Sequence, residues 1–173
     1  MRQGKSLELP RDLAAELKER KGAFVTLTKR GQLRGCIGNI YPDLPLAEAV
    51  ATNAYRAALN DPRFSPVGVD ELGAIQVEVS VLSVPEPLAF SSPAELLQKL
   101  QPHVDGVVLN VGPRRSTFLP QVWEKLPQPN EFLDHLSAKA GLAPQAWREP
   151  GTEILIYHVD AFTESEPTGA TNG

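Results

Sequence analysis

The stretch Leu33-Arg34-Gly35-Cys36-Ile37-Gly38 contains the only cysteine of this 173-residue chain. Glycine allows a backbone to approach another group closely, or to turn where a Cβ would clash. Arg34 is a cation that favours the thiolate form of a nearby cysteine. These neighbours make Cys36 a candidate accessible thiol. A lone cysteine beside Ile37 is, however, usually a small buried hydrophobic residue.

The residues before this stretch predict a β-hairpin. Ala23–Thr28 is rich in Val, Phe and Thr and predicts a strand, residues 29–32 predict a turn, and Leu33–Ile40 predicts the return strand. Strand alternation then places Arg34 and Cys36 on one face and the Leu33/Ile37 side on the other, unless a bulge at Gly35 interrupts it. We expect this stretch to line a concave surface with the arginine and the thiol on its open side.

Working outward, the hydrophobic periodicity predicts an α+β fold with mainly antiparallel sheets and flanking helices. Helices are predicted at residues 12–20, 46–59, 93–102, 120–125 and 129–141, and further strands at 74–83, 106–111, 115–119 and 153–162. Ser92-Pro93-Ala94-Glu95 is a capping box with proline at the first helical position. Residues 163–173 are polar and rich in small side chains, which predicts a disordered tail.

Composition argues against several classes of function. The net charge of −4 and the pI of about 5.4 give no support for binding nucleic acid or an anionic membrane. A single cysteine forms no internal disulfide, which fits a reducing, cytoplasmic location. The three histidines are scattered, so the pattern predicts no metal site. No apolar run approaches the roughly 20 residues that span a bilayer.

Several segments, taken in order, resemble the AMMECR-type family, whose prokaryotic members are called protein A of the AmmeMemoRadiSam system. The matching segments are residues 24–40, which include the LRGCIG stretch, then 61–64, 79–83, 105–107, 115–124 and 139–142. The resemblance implies a single domain over residues 1–162, with two unequal lobes and both chain ends in the larger lobe. It departs at the front, where relatives usually carry a further helical stretch and this chain opens with polar residues.

Polar and aromatic residues in or beside the matched segments suggest a binding cleft. Three arginines supply forked donors for a carboxylate or phosphate, a threonine and a glutamate add polar groups, and two aromatic residues form a wall. These residues are Arg34, Arg63, Arg115, Thr117, Glu78, Phe64 and Trp123, together with Cys36. We expect the three arginines to meet in one cleft. The alternatives are that Arg63 bonds local carbonyls, that Glu78 is simply solvated, and that paired arginines are merely exposed.

Three functions remain open at this point. The first is binding of a small anionic or peptide ligand as an accessory component of a pathway. The resemblance implies Memo-like and radical-SAM proteins as partners, and the chain itself has no CxxxCxxC cluster motif. The second is a thiol enzyme with Cys36 as nucleophile, for which His103, His135 and His158 offer no obvious base. The third is a protein-interaction domain. No cofactor is predicted for this chain.

Overall fold

The computed structural model describes residues 9–164, which divide into two compact units. The first unit contains residues 9–82 and 160–164, and the second is the continuous segment Ser83–Val159. The α+β class with antiparallel sheets is confirmed. The inner boundary, which the sequence did not locate, lies at residues 83 and 159. The chain leaves the first unit once, builds the second without interruption and then returns.

Each unit contains one four-stranded sheet. The strands are β1 (Gly22–Lys29), β2 (Gln32–Asn39), β3 (Ile75–Leu82), β4 (Glu86–Pro87), β5 (Gly106–Val111), β6 (Arg114–Phe118), β7 (Glu153–Tyr157) and β8 (Val159–Thr163). The α-helices are α1 (Ala15–Lys18), α2 (Leu46–Leu59), α3 (Pro93–Lys99) and α4 (Pro129–Lys139). Short 3-10 helices cover Val69–Ala74, Pro120–Glu124 and Pro144–Arg148. The strand order is β2-β1-β3-β8 in the first unit and β4-β7-β5-β6 in the second.

The predicted hairpin forms, but its bulge lies at Arg34 and not at Gly35. Arg30 and Gly31 have φ values of 52° and 75°, so the tight turn is of the type that suits the right-handed twist of the strands. The register passes from Leu27 opposite Gly35 directly to Thr28 opposite Leu33, which leaves Arg34 without a partner. Leu33 therefore falls out of step with Ile37, and 45% of its surface is exposed.

Helix α2 packs on β1 and β2 because the small residues of the interface allow close approach. A Cβ at Gly35 would overlap the carbonyl oxygen of Ala57 in the helix. Ala23 and Val25 on β1 are completely buried beneath this helix. The first core is thus built largely from small side chains, and α2 lies over one half of the sheet.

The second unit has a larger, aromatic core. Trp123 and Phe132 stack with ring centroids 3.7 Å apart and an angle of 9° between the rings. Both rings and Trp147 are fully or almost fully buried beside the β5 strand. The indole of Trp123 donates to the carbonyl oxygen of Asp105 over 2.7 Å, so its polar nitrogen is also satisfied.

The strand predicted at residues 153–162 is two strands in different sheets, and that prediction is wrong. The break falls at His158, whose N–H donates to Ser83 Oγ over 2.9 Å. Its carbonyl accepts from the Ser83 N–H over 3.0 Å. These bonds hold together the two points where the chain passes between the units. Thr163, predicted as the start of the tail, ends β8, and residues 165–173 lie outside the described part of the chain.

Candidate functional site

A row of polar side chains crosses one face of the first sheet. Thr26 lies opposite Cys36 on one side and opposite Glu78 on the other, so the three residues stand side by side on β2, β1 and β3. The Thr26 hydroxyl donates to Cys36 Sγ over 3.3 Å. On β8, the Thr163 hydroxyl donates to Glu78 Oε2 over 3.4 Å. Neighbouring strands are about 4.8 Å apart, so the Cys36 and Glu78 backbones are separated by roughly 10 Å.

Asp61 and Arg63 bond the outward backbone groups of Cys36. The Cys36 N–H donates to Asp61 Oδ2 over 2.9 Å. Arg63 Nη2 donates to the same carboxylate oxygen over 2.7 Å and to the Cys36 carbonyl over 3.1 Å. The guanidinium of Arg63 holds the pKa of the Asp61 carboxyl well below its usual range. Strand β2 is an edge strand of the sheet. The Asp61–Arg63 pair therefore satisfies an N–H and a carbonyl of Cys36 that a further strand would otherwise bond.

Arg63 also presents a free surface to solvent. Its side chain is 54% exposed, whereas the side chain of its partner Asp61 is 1% exposed. The guanidinium lies 5.5 Å from the ring centroid of Phe64, within the range of a cation–π contact. Arg63 therefore bonds the Asp61 carboxylate and the carbonyl of Cys36, 27 residues away, and not the local carbonyls of the alternative reading. It also leaves a charged surface at the end of the polar row.

The contacts of Arg34 are internal to the protein. Its guanidinium donates to both carboxylate oxygens of Glu71 over 3.0 and 2.9 Å, and to the Ser65 carbonyl over 2.9 Å. Lys29 reaches Glu71 over 2.8 Å, and together these cations hold the pKa of that carboxyl well below its usual range. The bulge directs Arg34 to this cluster. We therefore infer that Arg34 holds the 3-10 helix Val69–Ala74 in place through Glu71, and that it is not a donor for ligands.

The two glycines beside Cys36 serve packing, which corrects the idea that they expose the thiol. Gly35 provides room for Ala57, as described above. A Cβ at Gly38 would overlap the ring of Phe24 on the adjacent strand. The thiol of Cys36 is partly buried. It lies on the same face of the sheet as Thr26, so a ligand would reach it from that face.

Three predicted site residues belong to the second unit. Arg115 lies on β6 and donates to Asn110 Oδ1 over 3.0 Å. Thr117 donates to the Val107 carbonyl over 2.8 Å and lies 3.0 Å from the Tyr157 hydroxyl. Trp123 is fully buried, so the prediction that it forms part of a ligand wall is wrong. The gathering of Arg34, Arg63 and Arg115 in one cleft stays a prediction.

The residues around the polar row determine which catalytic base or metal ion it could use. All three histidines of the sequence are in the second unit, which leaves Glu78 as the carboxylate base on the polar row. Within residues 9–164, no group of three or more His, Cys, Asp or Glu residues is placed to hold a metal ion. In the same range, no helix is long and apolar enough to cross a membrane.

Sequence reasoning did not select Thr26, Asp61 or Glu71 as site residues. Counting outward from the Arg30-Gly31 turn pairs Thr26 with Gly35, and only the bulge shifts the pairing to Cys36. Asp61 was part of a matched segment, but its bond to the Cys36 backbone connects positions 25 residues apart. The period of β3 was the one usable signal, since it set Glu78 on the polar face.

Comparison with known proteins gives consistent results. The sequence model of the AMMECR1 family matches residues 1–162. A protein from Methanothermobacter thermautotrophicus is 43% identical, with 95% of this chain and 86% of that protein covered. A protein from Thermofilum pendens is 41% identical, with coverages of 94% and 82%. The crystal structure of an uncharacterized protein from Pyrococcus horikoshii matches with a TM-score of 0.87 and 37% identity, covering 97% of this chain and 85% of that one. The chain therefore belongs to the AMMECR1 family.

Proposed function

We propose that the protein binds a small anionic or peptide ligand on the polar face of its first sheet, as an accessory component of a multi-protein pathway. The observation that carries this proposal is the side-by-side placement of Cys36, Thr26 and Glu78, with the exposed part of Arg63 beyond Cys36. A binding site needs a few convergent polar groups on a rigid support. A β-sheet provides that rigidity, and the row offers an acceptor, a hydroxyl and a cation in a fixed order.

Charge balance favours the peptide over the isolated anion. The two arginines near the thiol each face a carboxylate, Arg34 with Glu71 and Arg63 with Asp61. Arg63 is paired with Asp61 alone, whereas Glu71 is shared by Arg34 and Lys29. A simple anion would therefore compete with a carboxylate already bonded to each arginine. A peptide offers N–H groups to Glu78 and carbonyl groups to Arg63. The spacing of roughly 10 Å between the Cys36 and Glu78 backbones corresponds to about three residues of extended chain.

Thiol catalysis is the second candidate, favoured by the hydroxyl that donates to Cys36 Sγ. A nucleophilic cysteine normally has a base within hydrogen-bond reach. Glu78 lies two strands away, and Thr26 stands between it and the sulfur. This arrangement supports ligand contact better than proton transfer, so we rank binding first. The Memo-like and radical-SAM partners that the resemblance implied belong to this proposal as its biological setting.

The test is retention of ligands from a complex mixture. The native protein is equilibrated with a tryptic peptide mixture and, separately, with a metabolite extract, and retained species are identified by mass spectrometry. Glu78→Gln removes the acceptor charge from the row. Glu48→Gln is the matched control, because Glu48 is an exposed carboxylate on α2.

We expect species that wild type and Glu48→Gln retain and that Glu78→Gln loses. The same species should slow alkylation of Cys36 by iodoacetamide, because they cover the polar row. Equal retention by all three proteins would contradict the proposal. A covalent mass increase on Cys36 after incubation would instead favour the thiol enzyme.

A further inference from the structure

The Glu78 carboxylate makes no ion pair within residues 9–164. Its one hydrogen bond in that range is a long one, donated by the Thr163 hydroxyl over 3.4 Å. By contrast, the carboxylates of Asp61 and Glu71, which contact the LRGCIG stretch, each accept from an arginine, over 2.7 and 2.9 Å. An ionised carboxylate has about four acceptor positions. Glu78 therefore keeps most of its accepting capacity for a ligand.

The side chains beside Glu78 on the same face of the sheet are neutral. The alternation of β3 places Gln76 and Ser80 on this face. On the adjacent strand β1, Thr26 lies opposite Glu78. Glu78 itself is partly buried. Its charge is therefore uncompensated by these neighbours, and its partial burial limits the screening of that charge by water.

The polar row as a whole carries a net negative charge. The charges of Asp61 and Arg63 cancel each other, because the two side chains form an ion pair. Glu78 then adds one negative charge that nothing else in the row balances. Charge complementarity therefore favours a positive group on the ligand. An ammonium group suits a carboxylate well, because it is charged and donates up to three hydrogen bonds.

We propose that the polar row binds peptides that place an ammonium group at Glu78. This inference rests on the binding function proposed above and specifies the ligand of that site. The N-terminal amine of a peptide and the side chain of a lysine both supply an ammonium group near neutral pH. A bare carboxylate or phosphate offers nothing that matches Glu78, so it is the weaker ligand.

The far end of such a peptide reaches Arg63. Asp61 and Arg63 bond the Cys36 backbone at the position that a further strand would occupy. About three strand spacings, roughly 14 Å, therefore separate Glu78 from that position, and extended chain covers this distance in about four residues. The hydrogen bonds of Arg63 within residues 9–164 use Nε and Nη2, which leaves Nη1 to donate to a peptide carbonyl.

The test uses the full chain and a library of tetrapeptide amides built from uncharged residues at random. The library is made in three forms: with a free N-terminus, with an acetylated N-terminus, and acetylated with lysine at the first position. Mass spectrometry compares the peptides retained by wild type, by Glu78→Gln and by the control Glu48→Gln. Thermal melts establish that both variants are folded.

We expect wild type and Glu48→Gln to retain an ammonium-bearing form about tenfold more strongly than the acetylated form, because a charged hydrogen bond is lost on acetylation. Glu78→Gln should lose this preference. Dipeptide amides with a free N-terminus should be retained about threefold more weakly than tetrapeptides, because they do not reach Arg63.

The two ammonium-bearing forms distinguish the source of the charge, since retention of one alone assigns the contact to the N-terminus or to lysine. Retention of all three forms equally, or a preference that survives in Glu78→Gln, would overturn this inference and leave peptide binding by the row intact. Equal retention of dipeptides would overturn the contact with Arg63. If wild type retains none of the forms, peptide binding by the row fails as well.

Discussion

The two units of this protein bury very different cores. The second unit encloses Trp123, Phe132 and Trp147 beside β5, with an aromatic stack at its centre. The first unit relies on Ala23, Ala49 and other small residues beneath one helix. Large buried aromatic side chains contribute more to the free energy of unfolding than small ones, because buried apolar area sets the scale. The comparison indicates that large buried side chains are concentrated in the second unit, whereas the first unit packs small side chains under α2 and leaves residues such as Val79 partly exposed.

The largest test of this comparison is Phe132→Ala. Phe132 is fully buried and packs against the rings of both Trp123 and Phe118. We expect a loss of about 3–5 kcal/mol in the free energy of unfolding. Val79→Ala in the first unit should cost about 1 kcal/mol or less, because Val79 on β3 is partly exposed. Chemical denaturation measures both values, and equal losses would contradict the contrast between the two cores.

Gly35→Ala tests the close packing of α2 on β2 in the first unit. The added Cβ overlaps a backbone atom of Ala57, which cannot rotate away. We expect a loss of about 3 kcal/mol, in the upper range for overpacked cores. Gly73→Ala is the control, because a Cβ there meets nothing within 4 Å. If both variants melt at the wild-type temperature, the interface between α2 and β2 is looser than described.

Asp61→Asn tests the pair that bonds the Cys36 backbone. The variant keeps the shape but loses the charge opposite Arg63, and we expect a loss of about 2 kcal/mol at neutral pH. The pKa of Asp61 is lower in the folded state than in the unfolded state, so its stabilisation is complete above the usual carboxyl range and fades as the pH falls.

The difference in stability between wild type and Asp61→Asn should therefore narrow below about pH 4. Thermal melts of both proteins between neutral pH and pH 3 provide the measurement. A difference that stays constant over this range would show that the carboxylate charge is not responsible.

Cys36→Ser is expected to have the smallest effect. The thiol is partly buried and accepts one hydrogen bond, which a serine oxygen also accepts. We expect a change of less than about 1 kcal/mol, together with weaker retention of the ligands that wild type captures. A melt combined with thiol labelling of the native wild type measures both properties. A loss of several kcal/mol would instead make Cys36 a core residue.

Local signals in the sequence predicted most of the first unit and the start of α3 in the second. The hairpin turn, the alternation of β3, the helix at residues 46–59 and the Ser92 cap all depend on neighbours within a few positions. Residues 153–162 were predicted as one strand because apolar side chains recur along both β7 and β8, with no turn residue between them. The change of sheet depends on pairing with distant strands, because β7 pairs with β5 in the second unit and β8 lies beside β3 in the first.

The site was harder to predict than the fold, because its geometry depends on contacts between distant positions. Arg34 was assigned to a ligand, although Glu71, which occupies it, lies 37 residues further along the chain. Trp123 looked available for a cleft because its burial depends on Phe132 and Asp105. The face on which Glu78 lies was predicted correctly, because it depends only on the period of its own strand.

The Asp61–Arg63 pair has a consequence for how this protein behaves in concentrated solution. An uncovered outer strand is a template on which other chains can assemble into fibrils or swapped dimers. By bonding the backbone of Cys36, the pair removes one N–H and one carbonyl from that template at the middle of β2. These two side chains thus protect the protein from intermolecular strand addition, and we expect their loss to promote aggregation as well as to lower the free energy of unfolding.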